Sequence, residues 1–255
     1  MKRLYILVLS LAACFSAWSQ SYSDQFYDAL NRDDIPLQRS ILDDWSLASP
    51  DDVDLYIARY NYYINASAML DNDSPEKPPQ FSQSVADSAL SVIEEGISRY
   101  PKRLDMRFGK IFFLGELQRW EAFADESIRM LNRSELMEHQ WIFPNVEEGF
   151  EELITESIQD YLSTLSGHLS DSQSLTPQDT LIISCMRRIA QRTVQVFPSD
   201  IQAVRSLALT YLMTHEYESA LKYLKRAEKM DPTDEWVVDN LAAVKARLNK
   251  KKSSR

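Results

Sequence analysis

From Ser199 to Pro232, apolar and small residues return every three or four positions. Leu207, Tyr211, Leu221, Leu224 and Ala227 mark two stripes on either side of the polar turn Thr214-His215-Glu216. That period predicts two amphipathic helices folded back on each other as a hairpin. Ala208 and Ala220 fall where the helices would cross, and each lets one backbone approach the other closely. Ser199 with Gln202 three residues on predicts a capping box, and Pro232 stops the second helix.

The rest of the chain repeats the theme less regularly. Residues 22–70 predict a first hairpin region, with Phe26, Tyr27 and Leu30 on one stripe, Leu37, Ile41, Leu42 and Trp45 on another, and a turn at Asp33-Asp34-Ile35-Pro36. Ser49-Pro50-Asp51-Asp52 predicts a helix start with Ser as the N-cap. The helix it opens carries Tyr56, Tyr60, Tyr62 and Tyr63, expected mainly as core with hydroxyls reaching the edge. The stretch Asp71 to Gln83, rich in Pro and acids, is the clearest break. Residues 84–132 and 147–197 predict two further hairpins, joined by the aromatic connection holding His139, Trp141 and Phe143, expected to fold back over an exposed helix. Residues 233–249 predict a last, capping helix, and 250–255 a basic disordered tail.

Pro198 and Pro232 lie 34 residues apart. With Leu207, Ala208, Tyr211, Tyr217, Ala220, Leu224 and Ala227 at their spacing, residues 199–232 resemble a tetratricopeptide repeat (TPR). Val204 stands where that repeat usually has Trp. Pro101 and Ala89 fit a second, degenerate unit, whereas Ile111 departs from the small residue expected there. The resemblance implies an all-α, antiparallel helical-hairpin solenoid of TPR type, one domain spanning residues 20–250. Such a scaffold implies protein–protein interaction without naming the partner.

Composition narrows the partners. The 255 residues carry a formal net charge of −10, which argues against nucleic acid because phosphates would be repelled. Lys2-Arg3, the apolar run Leu4 to Ala13 and Ala17-Trp18-Ser19 predict a signal peptide over 1–19, hence export to the periplasm or beyond. Leu11-Ala12-Ala13-Cys14 also resembles a bacterial lipobox, which would make Cys14 the acylated anchor of an outer-membrane lipoprotein. No later segment is apolar enough to span a membrane, so membrane association is expected only through Cys14. Cys185, in an apolar run, is expected as a small core residue.

Catalytic chemistry finds no support in the sequence. His139, His168 and His215 have no metal-ligand spacing, and no phosphate loop or nucleophile elbow occurs. The expectation is a non-enzymatic scaffold of the bacterial cell envelope, with no cofactor or metal. A structural subunit of an envelope complex and a glycan-binding role remain the alternatives. Carried over from the TPR resemblance, the groove would be lined by Gln202, Arg205, Leu209, Met213, Trp236, Asn240 and Arg247. Arg205 and Asn240 fit two positions of a carboxylate clamp, but Leu209 stands where the clamp has Asn. Arg103, Arg107 and Lys110, spaced by four and three on one helix face, form an alternative basic patch.

Overall fold

The computed structural model describes residues 21–70, 81–170 and 174–253. Among them are eleven helices, and the only β pairing is two isolated bridges. The described residues divide into two compact units, one reaching to Phe113 and including 141–147, the other made of 114–140 and the residues from Glu148 on. The protein is all-α, built from helical hairpins as the periodicity predicts.

The N-terminal unit contains α1 (Tyr22–Asn31), α2 (Ile35–Ala48), α3 (Val53–Leu70), α4 (Gln83–Arg99) and most of α5 (Leu104–Glu116). Phe26, Leu30, Ile41, Leu42, Trp45 and Leu55 form one cluster, with Tyr22, Tyr27 and Tyr62 packed against it. Ser21 and Asp24 form a reciprocal capping box on α1. The cap of α3 lies three residues later than expected: the Asp52 carboxylate, not Ser49, accepts from the Asp54 amide at 3.0 Å. It also accepts from the Trp45 indole N–H at 3.0 Å, so the one carboxylate caps a helix and satisfies a buried donor. α3 and α4 lie side by side, and Gly96 on α4 faces Tyr56 on α3. Tyr56 and Tyr60 are core, and the Tyr60 hydroxyl donates to the Gly109 carbonyl at 2.6 Å.

The C-terminal unit holds the end of α5, then α6 (Trp120–Leu136), α7 (Phe150–Gly167), α8 (Pro177–Val196), α9 (Ile201–Met213), α10 (Tyr217–Met230) and α11 (Glu235–Ser253). α8 packs against α6, α7 and α9, α9 against α10, and α10 against α11. Ala208 and Ala220 are fully buried at the α9–α10 crossing, beside Leu224, Leu241 and Val244. The cap of α9 is Asp200, whose carboxylate accepts from the Gln202 amide at 2.8 Å, rather than Ser199. α11 continues through Lys250 to Ser253, past the expected boundary at Asn249. Lysines are good helix formers, and their charge complements the negative end of the helix dipole.

One turn recurs. α1, α5 and α9 each end with a single left-handed residue: Asp33 (φ 56°), Gln118 (φ 53°) and His215 (φ 60°). In each case the following residue's amide reaches back five positions, Asp34 to Ala29, Arg119 to Leu114 and Glu216 to Tyr211, at 2.9–3.0 Å. This is the helix-ending bond pattern usually built with glycine, here built three times without it. Each copy reverses the chain into the next helix, so the hairpins share a hinge geometry that residue identity conceals.

Candidate partner-binding face

The seven residues expected to line a groove divide between α9 and α11. Arg205, Leu209 and Met213 are spaced by four, which puts them on one stripe of α9, and all three are half-buried. Gln202, a turn earlier, is exposed. On α11, Trp236 and Asn240 are half-buried and one turn apart, and Arg247 is exposed.

α9 and α11 meet at Arg205. Its guanidinium lies over the Trp236 ring, 5.0 Å from the centroid, and its Nη1 is 3.1 Å from Asp234 Oδ2. Asp234 is set by a second task, accepting from the Val237 amide at 3.1 Å and so capping α11. The Arg205 side chain keeps 28% of its exposure and that of Asp234 only 11%. Arg205, Trp236 and Asp234 therefore form a preset platform, cationic above and aromatic below, with the apolar Leu209 and Met213 continuing it along α9. Asn240 turns its amide inward, donating to the Trp236 carbonyl at 2.8 Å. With Arg205 already neutralised by Asp234 and Asn240 bonded to its own helix, the side chains are not arranged as a carboxylate clamp.

Arg247 stands apart from this platform. It donates to the Tyr217 hydroxyl at 3.0 Å and lies over that ring at 5.3 Å, at the start of α10. Eleven residues of helix separate it from Trp236, roughly 16 Å at 1.5 Å per residue. The structure thus joins Arg205 and Trp236 directly, keeps Leu209 and Met213 on the Arg205 stripe of α9 and Asn240 one turn from Trp236, and sends Arg247 elsewhere. Asp234 was missed in the sequence. Its signal was its place three residues before Val237, just after Pro232, where an N-cap is expected.

The alternative basic patch is corrected outright. Arg103, Arg107 and Lys110 are 9%, 8% and 8% exposed, so they form no open surface. Arg103 grips Asp105 through two bonds, at 2.9 and 2.6 Å, and reaches Asp54 at 3.2 Å. Lys110 pairs with Glu94, and Arg107 lies over Trp141 at 5.8 Å. Burial opposes the charged form of Arg103, but the bonds from Asp105 and Asp54 outweigh it and hold the group firmly protonated. The i, i+4, i+7 spacing correctly put three cations on one face. It could not reveal that the face is buried against carboxylates brought from α3 and α4.

Cys14 lies outside the described residues. Cys185 is buried, and burial raises its thiol pKa, the opposite of an activated nucleophile. Among the described residues, no three His, Cys, Asp or Glu side chains are placed to hold a metal ion, and no helix is long and apolar enough to cross a membrane.

No family model matches the chain, and no curated protein matches it. Solved structures do. A structure of MamA is 11% identical with a TM-score of 0.40, covering 84% of this chain and 97% of that one. YrrB, described as a TPR protein with an unusual peptide-binding site, is 14% identical with a TM-score of 0.33, covering 88% and 99%. A tetratricopeptide repeat protein from Parabacteroides merdae is 13% identical with a TM-score of 0.32, covering 88% and 97%. The fold is of the TPR type. In the hairpin itself the signature positions Leu207, Ala208, Ala220, Leu224 and Ala227 are all buried, and Ala208, Ala220 and Leu224 share one core cluster.

Proposed function

We propose that this TPR-type protein is a non-enzymatic interaction scaffold of the bacterial cell envelope, holding a protein or peptide on the α9–α11 face. The observation that carries the reading is the platform of Arg205 over Trp236, fixed by Asp234 and continued by Leu209 and Met213. A half-buried aromatic with a cation locked above it offers apolar area at small entropic cost, the usual character of an interface anchor. Its surroundings, mixed apolar and polar, suit an extended peptide or a helix surface better than a lone carboxylate. The leader-like run before Gln20 supports the envelope location, and the Leu11-to-Cys14 motif favours a second reading, in which the scaffold is lipid-anchored.

The test places a photo-reactive amino acid at Leu209 or Met213, and separately at Lys222 or Lys225, which are exposed on α10. In native envelopes a single adduct should form from the α9 positions and not from α10. Trp236→Ala should weaken that partner's affinity by at least tenfold, the scale of removing an anchor residue. Equal cross-linking from both helices would remove α9–α11 as the binding face. For the anchored reading, Cys14→Ala should move the protein from the membrane to the soluble fraction, and an unchanged distribution rejects it.

A further inference from the structure

Residues Trp141 to Val146 belong to the N-terminal unit and lie against the start of α5 as a short extended strap. One pair of backbone hydrogen bonds joins it to the approach to α5, both through Ile142. The Ile142 amide donates to the Lys102 carbonyl at 2.9 Å, and the Leu104 amide donates to the Ile142 carbonyl at 3.0 Å. This is a parallel bridge between Arg103 and Ile142. Leu104 opens α5, so its amide has no partner within that helix and accepts one from outside.

Alternate side chains of an extended segment face the same way. Trp141 lies under the Arg107 guanidinium at 5.8 Å, and the Phe143 ring meets Phe108 at 5.9 Å. Ile142, between them, is 54% exposed. Beyond Phe143 the chain turns sharply, with Asn145 left-handed (φ 61°) and the Val146 amide bonded to the Phe143 carbonyl at 3.1 Å.

These are the terms in which an extended peptide is recognised: main-chain pairing for affinity, and alternate side chains seated on the receptor for specificity. The ion pairs of the floor beneath do not involve the strap. Arg103 is held by Asp105 and Asp54, and Lys110 by Glu94, so withdrawing the strap strips neither cation of its carboxylate. We infer that this face is a peptide-recognition site occupied in cis by residues 141–146, and that an extended partner segment with aromatic residues two positions apart displaces the strap. The inference is independent of the α9–α11 face.

The probe is a fluorescent synthetic peptide with the sequence of residues 140–147, titrated into the full chain and followed by anisotropy. Wild type should bind it poorly, because the tethered copy competes. Trp141→Ala/Phe143→Ala should bind it saturably and at least tenfold more tightly, while a peptide with both aromatics replaced by alanine should not bind. Ile142→Pro, which deletes one backbone donor at an exposed position, should give a smaller gain in the same direction. A folded Ile142→Pro chain that takes up the peptide no better than wild type overturns the inference. So does wild-type affinity in the double variant. Loss of helical circular dichroism in both variants would assign the strap to the core, and would overturn it as well.

Discussion

Gly96→Ala sets two well-known effects against each other in one helix. Gly96 sits inside α4, where alanine ordinarily stabilises a helix by roughly 0.5–1 kcal/mol through propensity alone. Here a Cβ would lie 3.0 Å from Met106 Sδ, 3.0 Å from Tyr56 Cβ and 3.3 Å from Tyr56 Cγ. Contacts this short are tighter than ordinary van der Waals packing, so the neighbours must give by a few tenths of an ångström. Little is on offer. Met106 is fully buried, and the Tyr56 Cβ is fixed by the α3 backbone, with its ring further held beside Tyr100 and Arg99. Overpacking of this kind costs about 1–3 kcal/mol, which exceeds the propensity gain. The net expectation is destabilisation by about 1 kcal/mol, read as a lowered urea midpoint with unchanged slope in far-ultraviolet circular dichroism. Gly167→Ala is the matched control, because a Cβ there meets nothing within 4 Å. It should be neutral or slightly stabilising. If Gly96→Ala proves as stable as wild type, the close approach of α3 and α4 is not what requires glycine, and the packing argument is wrong.

Three further outcomes are expected. Gln118→Gly should stabilise the protein by about 0.5–1 kcal/mol in the same assay, since Gln118 is exposed and held left-handed, a conformation glycine adopts freely. The Asp179 carboxylate accepts from the amides and hydroxyls of Ser170 and Thr176, and these bonds hold its pKa well below the usual range. A depressed folded-state value means its stabilisation is complete above the unfolded value near 3.9 and fades as pH falls below it. Thermal melts of wild type and Asp179→Asn should therefore differ at pH 6 and converge in strong acid. Cys185, buried with a raised pKa, should resist iodoacetamide in the native chain and react on unfolding, as read by peptide mass mapping.

The hairpin at residues 199–232 was legible because its signals are local: period, small residues at the crossing and a terminal proline all fall within one unit. The helix ends were legible only approximately. Asp52 displaced Ser49 as the cap of α3 because the indole of Trp45, on the preceding helix, also needed its carboxylate. Two of the three bends were expected as turns, at Asp33 to Pro36 and Thr214 to Glu216, but their left-handed geometry was not, because Asp33, Gln118 and His215 carry no glycine signal. For the candidate site, positions carried over from the TPR resemblance put Arg205 and Trp236 in one groove, and the structure joins them. Helical spacing by itself misled for Arg103, Arg107 and Lys110. Spacing fixes which residues share a face, whereas burial depends on partners such as Asp54, 49 positions away. Trp141 could be recognised as one residue of a folded-back loop, but its seat on Arg107 is a tertiary fact.

The best-formed repeat is also not a portable module. Arg187, on α8, donates to the Thr210 carbonyl at 2.9 Å and the Thr214 hydroxyl at 2.6 Å, pairs with Glu216 at 2.7 Å, and lies 4.2 Å from the Tyr211 centroid. Four residues at the α9–α10 bend thus share one cation supplied by the preceding hairpin. Transplanted alone, residues 199–232 would arrive with their bend unclamped and Glu216 without its counter-ion. Any attempt to graft or consensus-engineer this repeat should take Thr176 as its first residue, so that α8 travels with the hairpin it fastens.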